Sequence, residues 1–343
     1  MPYRVHSYGG RSSAITLAGK VGFYEHISEG NLSMMSRYPV FIPKLLPKDE
    51  YFVSGRRSCK GCGKALAVRM IFKMGGKEVV AGEHARGLAS LSSYTHAGIG
   101  LTWNELLSST ITSSFADRFL TEPEQGVTGG GRRSEIRKAV IGVDRRIFFK
   151  DPLALSELVN AQREVLYICY DSEMYMDELI RRVSPSFSVQ GESHPLGKHE
   201  IAQLLENKQI PPQVWESGAS YLASACASYP LDFMEKIKKG LQVAGTAFIS
   251  VLTPCPTAWL FKPDLTAHLG ALAVSTGFYP LFEVEAGVLH VTTRIAALRP
   301  LAEYFKAQQR YVTFPQELLT PMQEVVKEEY QRLCNESGKK AQP

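Results

Sequence analysis

The sequence predicts an α/β fold built around a mostly parallel sheet, and three observations carry that prediction. Short, almost continuously apolar runs recur between helical stretches: Lys138-Ala139-Val140-Ile141-Gly142-Val143-Asp144, then residues 164–171, 219–225 and 247–252. Runs this short and this apolar suit strands buried on both faces, the habit of parallel sheets. Two of them end in an acid, Asp144 and Asp171, and in such sheets ligands sit beyond the carboxyl ends of the strands. The chain has 343 residues, 44% hydrophobic and 21% charged. That is an ordinary folded composition, long enough for one large α/β domain with extensions or for about two units.

Residues 1–50 read as an N-terminal extension. Residues 7–20 are rich in Gly and Ser, and Pro39, Pro43 and Pro47 punctuate a stretch of little periodicity, which suggests extended arms lying on a partner or on the main domain. The globular signal spans 51–310. From Gly63 a buried helix runs to Gly75-Gly76, where paired glycines stop it. Residues 78–81 are a strand and 103–120 a helix. Residues 122–134, centred on Gly129-Gly130-Gly131, are a polar loop expected to move. Helices are expected at 152–163, 199–207 and 231–242, the last amphipathic. The run 247–252 leads into Pro254-Cys255-Pro256. A helical C-terminal tail, 311–343, contains a helix over 315–334 with Glu324, Lys327, Glu328 and Glu329 on its wet side. It is expected to wrap a neighbouring subunit, with 337–343 frayed. There is no internal repeat.

Several classes are excluded. No stretch approaches the ~18 apolar residues of a membrane span, and Met1-Pro2-Tyr3-Arg4-Val5 is not the start of a secretory signal. The expected location is therefore cytoplasmic. The net charge of +5 is spread along the chain, which reads as a solvated surface and not as a nucleic-acid interface. Six cysteines without regular spacing do not make a disulfide framework.

Two constellations carry chemistry. Cys59-Lys60-Gly61-Cys62-Gly63 places two thiols where they can grip one metal, with glycines that let backbone amides turn toward it. Alone it is equally half a zinc site or a redox pair. Cys255, held between prolines, offers a distant third thiolate, while Cys169, Cys226 and Cys334 read as inert. The second constellation is Asp144 with Asp171-Ser172-Glu173: carboxylates and a hydroxyl suit a hard divalent ion such as Mg²⁺. The alternative is that both acids only cap the helices that follow.

In these residues the chain resembles the β subunit of 2-oxoacid:ferredoxin oxidoreductases, typified by pyruvate synthase. The resemblance rests on the cysteine pentapeptide, on Val165-Leu166-Tyr167-Ile168-Cys169-Tyr170-Asp171-Ser172-Glu173-Met174-Tyr175-Met176, and on Val251-Leu252-Thr253-Pro254-Cys255-Pro256-Thr257-Ala258-Trp259. Residues 225–239 and Thr276-Gly277-Phe278-Tyr279-Pro280-Leu281-Phe282-Glu283-Val284 add to it, so that it covers roughly 51–310 in the same order. It implies a three-layer sandwich, the thiamine diphosphate-binding fold. The β subunit would hold the diphosphate half of thiamine diphosphate through Mg²⁺, and one 4Fe–4S cluster. Partner subunits of α, γ and δ type complete the complex, and ferredoxin accepts the electrons. Asp144, Ser172 and Met174 (through its carbonyl) match the Mg²⁺ ligands, Arg145 stands beside the diphosphate, and Cys59, Cys62 and Cys255 match cluster ligands.

The chain departs from the family pattern at three places. The remaining cluster cysteine is missing, and Glu83-His84 stands in its stretch. A Gly-Asp-Gly becomes Val143-Asp144-Arg145, exchanging a close-approach glycine for a cation. An Asn-Thr-Gly becomes Asp177-Glu178-Leu179, bringing two acids toward an anionic cofactor. These departures define an alternative: a catalytically silent paralogue that scaffolds or regulates such a complex, with Arg145 and Arg146 forming salt bridges inside a vacated pocket. A zinc-only site at Cys59 and Cys62 is a third option.

Overall fold

The computed structural model describes residues 59–75, 79–83, 138–145, 165–173, 175–183, 201–202, 210, 214 and 218–340. The expected N-terminal extension, the helices at 103–120 and 152–163 and the glycine-rich loop 122–134 lie outside the described residues. So do His84, Arg146 and Met174. Of the helix expected at 199–207, Ile201 and Ala202 are described, and both are helical.

Seven described strands form one sheet: β1 Val79–Glu83, β2 Lys138–Asp144, β3 Val165–Asp171, β4 Tyr221–Cys226, β5 Ala247–Leu252, β6 Phe282–Glu285 and β7 Val288–Val291. Their order is β1-β2-β3-β5-β4-β6-β7. Pairing is parallel from β1 through to β4 and antiparallel for β6 and β7. Every residue of β3, β4 and β5 is buried, which is why those runs carry no polar alternation.

Helices flank the sheet. α1 (Gly63–Gly75) and α3 (Pro230–Gln242) share one apolar cluster with the strands, through Ala67, Ile71 and Phe72 from α1 and Phe233 and Ile237 from α3. α3 starts with Pro230 at its first turn and carries Asp232 there and Lys239 in its last turn, each charge favourable to the helix dipole. A second cluster gathers α2 (Tyr175–Val183), α4 (Pro256–Trp259), α5 (Thr266–Ser275), α6 (Leu301–Lys306) and α7 (Leu319–Glu336) around Cys226 and Leu252, the last residues of β4 and β5. The second core therefore sits against the carboxyl ends of the central strands.

The long C-terminal helix begins at Leu319, after a short 3-10 turn at Gln316–Leu318. Met322, Val325, Val326 and Tyr330 face the second core or its margin, while Glu324, Lys327 and Glu328 are exposed. Residues 337–340 do not fray. Leu289 donates its amide to Lys339 O, Gly338 donates to Leu289 O, and Val291 donates to Ser337 Oγ. The chain end thus covers the edge of β7.

Candidate functional site

The cysteine turn is built by close backbone approach. Cys62 N donates to Cys59 O at 3.2 Å, Gly61 has φ +68°, and α1 starts at Gly63, the residue after Cys62. A Cβ on Gly61 would lie 2.2 Å from Pro263 O, and one on Gly63 would lie 2.7 Å from Pro254 O. Gly63 N donates to that same Pro254 carbonyl at 3.1 Å. Thr266 Oγ1 donates to Gly61 O at 2.5 Å and Thr257 Oγ1 to Cys59 Sγ at 3.7 Å. The turn is therefore pressed onto the segment that carries Cys255, and cysteines far apart in sequence converge.

Electrostatics report the same proximity. Burial raises the Cys62 thiol, backbone amides of Ala65 and Lys64 partly offset this, and Cys255 and Cys59 push it further up. Cys59 is exposed, whereas Cys62 and Cys255 are half-buried. An open depression of about 650 Å³ beside them is lined by Cys59, Cys62, Arg69, Pro263, Asp264 and Thr266.

Two glycine approaches that no side chain could occupy draw three thiols toward one turn, and thiols are the donor type that a soft metal takes. Cys59, Cys62 and Cys255 are neighbours and do not close on one point: among the described residues no group of three or more His, Cys, Asp or Glu side chains is placed to hold a metal ion. Glu83, the last residue of β1, is paired in register with Gly142 of β2.

The second constellation also assembles at the carboxyl edge of the sheet. Register sets Asp144 opposite Tyr170, one residue before the end of β3. Asp171 is fully buried, and its carbonyl accepts from Thr253 N at 2.7 Å and Thr253 Oγ1 at 3.0 Å. Its Oδ1 accepts from Glu173 N at 2.8 Å. Ser172 is half-buried, and its carbonyl accepts from Trp259 Nε1 at 2.7 Å.

Arg145 does not project into solvent. Its side chain is buried, with Nη1 3.6 Å from Asp171 Oδ2, and its amide donates to Tyr170 O. The cation at the position of the family's glycine is thus paired inside the protein. An acid at one strand end and a hydroxyl beyond the next remain donors of the kind a hard cation takes. Gly142 is needed for another reason, because a Cβ there would lie 2.7 Å from the Tyr170 ring.

Glu173, part of the expected constellation, is joined at this edge by residues from outside it, Arg310 and Tyr304. Glu173, buried and at φ +52°, accepts at Oε2 from Arg310 Nη2 (2.6 Å) and from Tyr304 OH (2.9 Å). The Arg310 guanidinium lies over the rings of Trp259 and Tyr311, 4.4 and 4.6 Å from their centroids. Asp177, one of the two acids that depart from the family pattern, has Oδ1 3.9 Å from Arg310 Nη1. Burial raises the Asp177 carboxyl, while Arg310 and Arg181 pull it back. Trp259 and Glu173 belong to the motif stretches, but nothing in the sequence pairs them with Arg310. The one available signal is that an arginine among apolar and aromatic residues needs a buried acid.

Fold and site together define an α/β protein whose candidate site lies beyond the carboxyl ends of parallel strands, where ligands sit in such sheets. No family model matches the sequence. The chain is 32% identical over 292 residues to pyruvate synthase subunit PorB of Methanocaldococcus jannaschii, covering 82% of this chain and 96% of that one. It is 28% identical over 302 residues to ketoisovalerate oxidoreductase subunit VorB of Pyrococcus abyssi, covering 84% and 94%. A solved 2-oxoglutarate:ferredoxin oxidoreductase from Magnetococcus marinus superposes at a TM-score of 0.37 and 16% identity over 64% of this chain and 71% of that one. That superposition is too weak to carry an argument. The sequence relatives suffice: the chain belongs to the PorB/VorB family of 2-oxoacid oxidoreductase β subunits.

Proposed function

We propose that this chain is the β-type subunit of a cytoplasmic 2-oxoacid:ferredoxin oxidoreductase complex, acting in the oxidative decarboxylation of a 2-oxoacid such as pyruvate. The observation that carries the reading is the gathering of Cys59, Cys62 and Cys255 at the same sheet edge as Asp144 and Ser172. Among the described residues no helix is long and apolar enough to cross a membrane. Thiamine diphosphate, when bound, supplies carbanion chemistry, and an iron–sulfur cluster supplies one-electron acceptance toward ferredoxin.

The chain's own residues hold and orient. Asp144 and Ser172, with the carbonyl of Met174, would hold Mg²⁺, and Cys59, Cys62 and Cys255 would hold the cluster, which either Glu83 or His84 would complete or which would be labile on three protein ligands. Arg145 neutralises Asp171 beneath the strand ends, so that the buried carboxylate adds little repulsion toward a diphosphate. Partners of α, γ and δ type supply the remaining contacts.

A single observation favours a second reading. A buried Arg145–Asp171 pair is what a catalytically silent, scaffolding paralogue would show where a coenzyme has been given up. Asp144→Ala and Cys59→Ser in the intact complex separate the two. On the first reading Asp144→Ala loses thiamine diphosphate but keeps iron, and Cys59→Ser loses iron. If neither variant changes cofactor content or turnover, the silent reading replaces the first.

A further inference from the structure

The turn at 171–173 is held from two directions by residues that lie far away in sequence. Glu173 takes a left-handed backbone conformation, which residues with a Cβ adopt only when their surroundings enforce it. Here the enforcement is visible. The Glu173 amide donates to Asp171 Oδ1, its carbonyl accepts from Met176 N at 2.9 Å and Arg310 Nη1 at 3.4 Å, and its carboxylate receives Arg310 and Tyr304. Arg310 is itself fixed, between the Trp259 and Tyr311 rings and by Nε donating to Gln308 Oε1 at 2.8 Å. Trp259 in turn donates to the Ser172 carbonyl. It ends α4, the four-residue helix that directly follows Cys255.

We propose that Arg310 is a positioning residue. Acting through Glu173 and Trp259, it fixes the direction of the 172–173 turn and locks that turn to the segment bearing Cys255, so that the hard-cation donors and the thiols keep one mutual geometry. The link to the cation and diphosphate rests on the function proposed above; the clamp itself does not.

Ordering a turn this way is a matter of preorganisation, since binding then requires no further ordering of the loop. Arginine suits the task where lysine does not. Its planar cation stacks on two rings while its fork reaches both the carboxylate and the carbonyl of one residue. A lysine could keep the charge but not both geometries.

The test uses the intact complex and three variants: Arg310→Met, Arg310→Lys and Trp259→Phe. Phenylalanine keeps a ring under the guanidinium while removing the Nε1 donor and part of the buried indole's packing, a smaller change that guards against an Arg310→Met protein that fails to fold. Amide hydrogen exchange at Glu173 and Met176 is read against the β3 and β5 amides. Exchange there should quicken at least about fivefold in Trp259→Phe, the size of one lost hydrogen bond before any loss of packing, and more in Arg310→Met, with the strands unchanged. Apparent affinity for thiamine diphosphate with Mg²⁺ should fall in the same order, and Arg310→Lys should recover part of both.

Unaltered exchange in Trp259→Phe would overturn the clamp. Faster exchange with unaltered coenzyme affinity would overturn the positioning role. A wild-type complex that takes up no thiamine diphosphate would instead overturn the proposed function, and with it the coenzyme part of this role, whatever the exchange shows.

Discussion

Replacing Gly61 by alanine should cost far more than the same change at Gly287, although both glycines have positive φ, +68° and +76°. At Gly287, in the turn between β6 and β7, a Cβ would meet nothing within 4 Å. The cost there is the left-handed backbone alone, about 1–2 kcal/mol. At Gly61 the same backbone cost applies, but the Cβ would lie 2.2 Å from Pro263 O and 2.8 Å from Pro263 C and Cα. Those are backbone atoms that cannot swing aside. Overpacking of this kind adds roughly 1–3 kcal/mol, for a total of about 2–5 kcal/mol. Equilibrium urea unfolding of both variants, with the wild type, measures the difference directly. The relief of the overlap must also move the cysteine turn away from Pro263, so iron retention should fall in Gly61→Ala and not in Gly287→Ala. Equal destabilisation of the two variants would refute the close approach on which the convergence of the cysteines rests.

Two further predictions concern buried charge around α3, β4 and β6. Lys236 Nζ is fully enclosed and donates to Ser224 O (2.7 Å), Asp232 Oδ2 (2.6 Å) and Thr292 Oγ1 (2.8 Å); burial lowers its pKa and Asp232 opposes that. Lys236→Met should cost about 3–5 kcal/mol by leaving Asp232 buried without its cation, and adding Asp232→Leu should recover much of it in a double-mutant cycle. Glu283 is buried, which alone would raise its carboxyl, but hydrogen bonds from Lys239 and Tyr221 and the charges of Lys239 and Lys236 bring it below the usual value. A depressed carboxyl stabilises the fold above its unfolded pKa and loses that contribution as pH falls through the folded one. The stability gap between wild type and Glu283→Gln should therefore be full at neutral pH and close below about pH 4 in urea titrations.

Much of the scaffold is legible because burial on both faces leaves an unambiguous mark. The boundaries of β2 and β5 are those of the apolar runs 138–144 and 247–252, and α1 ends at the glycine that stops it. Where structure comes from less usual chemistry, the signal weakens. The β6–β7 hairpin turns on Ala286 and Gly287, both at positive φ, and alanine seldom takes that conformation. α5 contains Gly270 in its middle, a poor helix residue in isolation. It is there because a Cβ would lie 2.9 Å from Cys226 Sγ and closer still to Ser228 Oγ. α2 has its apolar residues Met176, Leu179 and Val183 at helical spacing, but Asp177, Glu178, Arg181 and Arg182 between them give the look of a polar loop.

The site divides the same way. The cysteine turn and the strand-end acids can be picked out from residue type and local position. That Gly63 and Pro254 hold the two cysteine segments together is a contact between distant segments and leaves no local pattern. From the sequence Arg145 reads equally as a cation beside a phosphate or as half of an internal salt bridge, and only the parallel neighbour strand, which places Asp171 within its reach, shows the pairing. The Glu173–Arg310 pair spans 137 residues, and only folding brings it to the edge of the site.

The most direct test of the central claim is the iron, sulfide and thiamine diphosphate content of the complex purified without oxygen. The account predicts bound thiamine diphosphate and about four irons for this chain's own cluster, the iron being lost in Cys59→Ser and the coenzyme in Asp144→Ala. Iron attributable to this chain being absent, together with the coenzyme, would contradict it and leave the converged cysteines and the Arg145–Asp171 pair as the architecture of a scaffold.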